Sequence, residues 1–257
     1  MARAAGPRGY APAMGRAHAA PFSLRSATVE IVTAVEPHGV LITVEGVEGS
    51  GKSTQLLRLS ERLRHLAVPL VATKEPGGTP LGQEIRRLLL QPHPSGEAWC
   101  AEAELLLFYA DRAQHLHGVI RPALDAGQIV LCDRFEDSTR AYQGASGVPE
   151  HVLDRLHELV LQRLRPHLTL LLDMDPQVSL QRVEVRNLGY GGAFQETRFD
   201  QAQLEFHQRV RNRFLAIAKA DPQRVAVIPA RSSPADVERA VWQRVAPLLR
   251  NAGFQVG

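Results

Sequence analysis

The sequence predicts an α/β fold, a parallel five-stranded sheet with helices on both faces, and two observations carry that prediction. Past Gly39 the chain alternates short apolar runs with longer segments of helical periodicity, the pattern of strands buried on both faces by crossover helices. The first run, Leu41-Ile42-Thr43-Val44-Glu45, then flows into Gly46-Val47-Glu48-Gly49-Ser50-Gly51-Lys52-Ser53-Thr54, a Gly-x-x-x-x-Gly-Lys-Ser loop with a helix-like segment after it. Strand, glycine-rich loop and helix in that order are the context of the phosphate-binding loop, so the expected fold is P-loop NTPase-type.

The strands are expected at 40–45, 69–73, 128–132, 168–173 and 224–228, each short and apolar as buried parallel strands are. The helices are expected at 52–66, 80–90, 101–125, 149–164, 176–186, 200–219 and 234–250. Asp175-Pro176 and Ser233-Pro234 each set a capping residue before a proline at the first helical position, and Pro122 kinks or ends the third helix. No repeat or linker interrupts 38–252, which reads as one domain, with 253–257 as a tail.

Residues 1–37 are a different material, rich in Ala, Arg, Pro and Ser and without an acid before Glu30. That composition fits an organellar transit peptide, a disordered bacterial extension, or a start assigned too early with Met14 as an alternative; disorder is the reading preferred. No apolar run approaches the roughly 20 residues that span a bilayer, so no membrane association is expected. Cys100 and Cys132 are too few for a disulfide framework or zinc site, which suits a reducing cytoplasm. The net charge of +3 comes without a basic run, so small polyanionic substrates fit it better than nucleic acid.

In the glycine-rich loop, Gly46, Gly49 and Gly51 allow successive N–H groups to curl toward phosphate oxygens at the positive end of the next helix. Lys52 is expected to reach the β and γ phosphates and Ser53 to hold Mg²⁺ between them. Ligands of such sheets gather beyond the carboxyl ends of the strands. There the sequence places Lys74 to Thr79 after the second strand, Asp133-Arg134 after the third, and Asp173 and Asp175 after the fourth. On the third helix, Leu105, Phe108, Arg112 and His115 share one stripe and Leu106, Tyr109, Ala113 and Leu116 an adjoining one, so much of it is buried. A buried Arg112 needs a partner: Asp111 or another carboxylate is one possibility, a polar ligand edge with Phe108 stacking one turn earlier is the other.

Several stretches together resemble the thymidylate kinases, which phosphorylate dTMP with ATP. They are Val44-Glu45-Gly46 with Gly51 to Gln55, Thr73-Lys74-Glu75-Pro76-Gly77-Gly78-Thr79, and Leu106 to His115. Asp133-Arg134-Phe135 with Ser138-Thr139-Arg140-Ala141-Tyr142-Gln143-Gly144, Arg198-Phe199-Asp200 and Glu205-Phe206-His207 complete the set. The resemblance implies an ATP site at Gly46, Val47, Glu48, Gly49, Ser50, Gly51, Lys52, Ser53 and Thr54, with Arg182 near the adenine. It implies a dTMP site of Glu48, Lys74, Glu75, Arg86, Phe108, Arg112, Arg134, Ser138, Thr139, Tyr142 and Gln143. Phe108 would stack on thymine, Arg112 would bond its edge, Tyr142 would crowd the sugar 2′ position, and Arg134 would clamp the acceptor phosphate. Mg²⁺ would lie between Ser53 and Asp133, and the enzyme would be a cytoplasmic homodimer.

Two departures stand out. Lys74 replaces the usual Arg before Glu-Pro-Gly-Gly-Thr, keeping charge without the bidentate fork. The segment between Arg186 and Arg198 is long and glycine-rich, which suggests a mobile lid. The loop interior, Val47 to Ser50, contains no cation, so the lid is expected to supply one. Arg186 is the expected catalytic cation, beside Lys52, Asp133 and Arg134, with Arg198 supporting the acceptor side or the closed lid. The rival readings are a nucleoside monophosphate kinase for another base, a catalytically silent nucleotide-binding protein, and a GTPase switch, whose Asn-Lys-x-Asp motif the chain lacks.

Overall fold

The structure, a computed structural model, describes residues 39–189, of the last four the backbone alone, and 203–256. The expected N-terminal extension and most of the expected lid, with Arg198, lie outside the described residues. The five strands are β1 (Val40–Glu45), β2 (Leu70–Lys74), β3 (Ile129–Asp133), β4 (Leu168–Asp173) and β5 (Val225–Pro229), all parallel, in the order β2-β3-β1-β4-β5. β1 lies at the centre, hydrogen-bonded to β3 and β4, and every one of its residues is buried. Its alternation feeds both layers of the core. Val40, Ile42 and Val44 pack with Leu59 and Leu63 of α1 (Lys52–His65) and with Val241 and Leu249 of α9 (Pro234–Asn251). Leu41 packs on the other face with Leu105 of α3 (Ala101–His115), Leu124 of α4 (Arg121–Asp125) and Leu153 of α6 (Glu150–Val160).

The remaining helices are α2 (Pro80–Leu90), α5 (Glu136–Ala145), α7 (Pro176–Gly189) and α8 (Leu204–Ala220). The expected helix starts hold: Ser233 Oγ accepts the Asp236 N–H, Asp175 Oδ1 accepts the Gln177 N–H, and each helix begins at its proline. Chain packing continues past α9, where Phe254 and Val256 join the core beside it.

Three expectations need correction. α5 was not expected, because its buried face is polar: Glu136, Asp137, Ser138, Thr139 and Gln143 are all buried, so no apolar periodicity marks the helix. The expected helix 101–125 is three pieces, α3, a π-helical turn over Leu116–Ile120, and α4. Pro122 has no N–H to donate back to Gly118, and the wide turn before it absorbs the mismatch. The second stripe of α3 is also split, since Tyr109 and Leu116 are buried while Leu106 is 57% exposed and Ala113 faces out.

Candidate active site

The carboxyl ends of β2, β3 and β1 are neighbours in the sheet, and the loops leaving them converge. Gly49, at φ +73°, runs so close to α7 that a Cβ there would stand 2.2 Å from the Ser179 carbonyl oxygen, which explains a glycine at this turn. Lys52 Nζ donates to the carbonyls of Gly46 at 2.9 Å and Val47 at 2.8 Å. Burial, with Arg134 adding to it, pushes the Lys52 ammonium down to about 8. Ser53 Oγ lies 3.4 Å from Asp133 Oδ2, and Asp133 Oδ1 is buried without a hydrogen-bond partner. A hydroxyl beside a carboxylate with spare acceptor capacity is the hard oxygen donor set that suits Mg²⁺.

Glu45 roots this loop to the next one. Its carboxyl accepts the Phe135 N–H at 2.7 Å and the Ser138 hydroxyl at 2.5 Å, and burial, helped by Asp137, pushes it up to about 8. Immediately before those anchors Arg134 is held in a left-handed conformation, φ +65°, an uncommon backbone for a non-glycine residue and one that clusters at functional sites.

Arg134 is the hub of a side-chain network beside the loop. Nη2 donates to Glu48 Oε1 at 2.8 Å and to Tyr142 Oη at 3.2 Å, while Nη1 donates to Gly46 O and Ser138 Oγ, both at 3.1 Å. The Tyr142 hydroxyl lies 2.7 Å from both Glu48 oxygens. Burial works against the Glu48 charge, yet Arg134, His207, Lys52 and Tyr142 together hold its carboxyl well below the usual carboxylate range.

At the far end Arg112, only 2% exposed, donates from Nε to Glu75 Oε2 at 2.8 Å and from Nη2 to Thr139 Oγ1 at 2.9 Å. Nη1 is buried and has no partner among the described residues. Both sequence alternatives therefore have support: a carboxylate, Glu75 rather than Asp111, carries part of the charge, and one donor is left over. Glu75 is held in turn by His115, whose Nδ1 lies 2.9 Å from Oε1 and whose Nε2 lies 2.7 Å from Thr73 Oγ1. Asp111 instead accepts the Gly77 N–H at 2.9 Å, and Arg86 donates to the Pro76 carbonyl at 2.9 Å, so both brace the loop after β2.

These groups surround one cleft of ≈ 800 Å³. Its lining brings together Glu48, Gly49, Ser50, Gly51, Lys52, Ser53, Thr54, Lys74, Glu75, Arg86, Phe108, Arg112, Asp133, Arg134, Ser138, Thr139, Tyr142, Gln143 and Arg182, all named from the sequence. Gly46 and Val47 lie behind it, holding Lys52 through their carbonyls. The Arg186 side chain and Arg198 lie outside the described residues. Asp173 is turned to structure by a bidentate pair with Arg211 at 2.7 and 2.9 Å, and Asp175 caps α7. The sequence reading missed Ala230, Ser232, Pro234 and Val237, which also line the cleft, the Pro234 carbonyl accepting from Gln55 Nε2 at 2.9 Å. They follow β5, so the strand-end rule extended to the fifth strand finds them. It also assigned no role to Glu45 or His207, whose partners lie too far along the chain for local spacing to reveal.

A sequence profile of the thymidylate kinase family matches residues 44–241. The chain is 48% identical over 211 residues to the thymidylate kinase of Solidesulfovibrio magneticus, covering 82% of this chain and all of that one. It is 46% identical over 213 residues to the thymidylate kinase of Syntrophotalea carbinolica, covering 82% of this chain and 97% of that one. The crystal structure of thymidylate kinase from Ehrlichia chaffeensis superposes with a TM-score of 0.64 at 33% identity, over 81% of this chain and 98% of that one. With a glycine-rich loop, a network of buried charged side chains and one cleft on a five-stranded parallel sheet, and with relatives matched over nearly their whole length, this chain belongs to the thymidylate kinase family of ATP-dependent nucleoside monophosphate kinases.

Proposed function

We propose that the chain performs its family's reaction, transfer of the γ-phosphoryl group of ATP to dTMP giving dTDP and ADP, with the donor on the Gly46–Thr54 loop and the acceptor on the Arg134 side. In-line transfer needs positioning and charge, and no covalent intermediate. Lys52 leaves its loop carbonyls for the β and γ phosphates, and Arg134 with Lys74 neutralises the acceptor phosphate, Lys74 as a point charge rather than a fork. Ser53 and Asp133 would hold Mg²⁺, which would supply charge neutralisation to the donor phosphates. Arg186 supplies the further cation, Arg182 flanks the adenine, and Arg198 supports the closed arrangement.

The observation that carries the base assignment is the buried, unpartnered Arg112 Nη1 in a cleft wall that also includes Phe108. A donor there suits the thymine carbonyl edge and repels the amino group of cytosine, and the Tyr142 ring favours deoxyribose. A coupled assay of ADP formation across dTMP, dUMP, UMP, CMP, AMP and GMP tests this. The highest kcat/KM is expected for dTMP, and a higher value for any other acceptor rejects the assignment.

A homodimer is also proposed. Leu81 and Leu88 on α2, Leu106 on α3 and Leu159 on α6 are 41% to 73% exposed, on helices packed side by side. Sedimentation at micromolar concentration decides it. No helix among the described residues is long and apolar enough to cross a membrane, and a cytoplasmic site of action is proposed from the nucleotide substrates.

A further inference from the structure

We propose that His207 of α8 is a positioning residue for acceptor selection, holding the Glu48 carboxylate and, through it, the Tyr142 hydroxyl against the deoxyribose. The inference rests on the dTMP reading above and adds to it a helix that the phosphate loop and acceptor motifs do not include. His207 is fully buried, and its Nδ1 stands 3.3 Å from Glu48 Oε2, within ion-pair reach but off the line of a hydrogen bond. Its Nε2 has no polar partner among the described residues. An ionised carboxylate only accepts, so the nitrogen facing Glu48 carries the hydrogen and a small ring rotation completes the bond.

Glu48 otherwise takes its donors from one direction, since Arg134 and Tyr142 both come from the β3–α5 segment. His207 comes from a different helix and fixes the carboxylate on a second side. The same stretch of α8 backs the gate itself: Phe206 and Phe214 each meet the Tyr142 ring edge-on with centroids 6.2 Å apart. A leucine or phenylalanine at 207 would fill the site without leaving a bare buried nitrogen, so packing does not account for the imidazole.

The test compares wild type, His207→Leu, His207→Asn and His207→Gln by steady-state kinetics with dTMP and with its ribose counterpart, 5-methyluridine monophosphate. His207→Leu is expected to raise the KM for dTMP about tenfold, the scale of one charge-assisted hydrogen bond. It also narrows the preference for dTMP over the ribose analogue, while the KM for ATP stays within about twofold, since the loop is proposed to meet the ATP phosphates through backbone N–H groups and Lys52 rather than through the Glu48 carboxylate. His207→Asn, whose amide N–H falls near the place of Nδ1, restores both values. His207→Gln, whose amide falls near the place of Nε2, does not. Unchanged dTMP KM and discrimination in His207→Leu overturn the proposal. If the leucine variant does not fold, equal behaviour of the Asn and Gln variants overturns it instead. Wild-type enzyme that fails to phosphorylate dTMP rejects the functional reading, whereas active wild type with an unaffected His207→Leu rejects only the role of His207.

Discussion

The two halves of the cleft are built from different material. At the proposed donor site the protein offers a short glycine-rich main-chain loop with one lysine and one hydroxyl, all between Gly46 and Ser53. At the proposed acceptor site it offers side chains that hold one another, such as Glu48 with Tyr142, 94 residues apart, and Arg112 with Glu75, 37 apart. A main-chain cradle asks only for local backbone freedom, so it reads as a short motif and serves many chemistries. A side-chain network asks for several distant residues at once, and it selects one acceptor. Glu48 belongs to both, since its backbone lies in the glycine-rich loop while its carboxylate is held by Arg134 and Tyr142.

The sharpest way to separate the halves is Lys52→Ala, expected to lower kcat by about 10³ with the fold intact by circular dichroism, because transition-state charge depends on it. Binding of dTMP by calorimetry should be nearly unchanged, and a comparable loss there would show the halves to be one unit. Tyr142→Ala tests the other side: the preference for deoxyribose over ribose acceptors should fall by about tenfold, as loss of a steric contact does, while Tyr142→Phe keeps it. Wild-type turnover of both acceptors at equal kcat/KM would remove the steric account.

A smaller effect follows from the Lys52 ammonium being pushed down to about 8 by burial. The kcat/KM for ATP should fall along an alkaline limb centred near that value, since this parameter reports the free enzyme, while kcat holds to higher pH because bound phosphates favour the charged lysine. Coincident limbs would refute it. Glu45, raised from 4.5 to about 8, binds a proton that the unfolded chain has released. Its contribution to stability is therefore full below about pH 4.5 and is lost as pH rises through 8. Glu45→Gln should flatten that part of the Tm-against-pH curve by thermal melts. The smallest effect expected is that of deleting residues 1–37, proposed to serve neither fold nor catalysis: Tm and kcat should stay within error, and a loss of several degrees would contradict it.

The same contrast governs what could be read from the chain. Strand positions came through within a residue because apolar runs such as Ile129 to Cys132 are buried on both faces and leave little ambiguity. α5 did not, although its Ser138, Thr139, Tyr142 and Gln143 were recognised as site residues, because the face it buries is polar and serves the cleft. The phosphate loop was legible as a motif. The choice of Glu75 over Asp111 as the partner of Arg112 was not, since neighbours on a helix and residues on a distant strand end compete equally until the fold is known.

The spare Arg112 Nη1 has a consequence for inhibitor chemistry. A buried cationic donor already desolvated by the protein costs a ligand nothing further to expose, so an acceptor atom presented in its plane gains a strong hydrogen bond at once. Replacing that atom by a methyl group forfeits the whole bond, and replacing it by an amine sets two donors against each other. Compounds aimed at this cleft should therefore show a steep cliff in affinity at a single ring position and a gentle slope everywhere else.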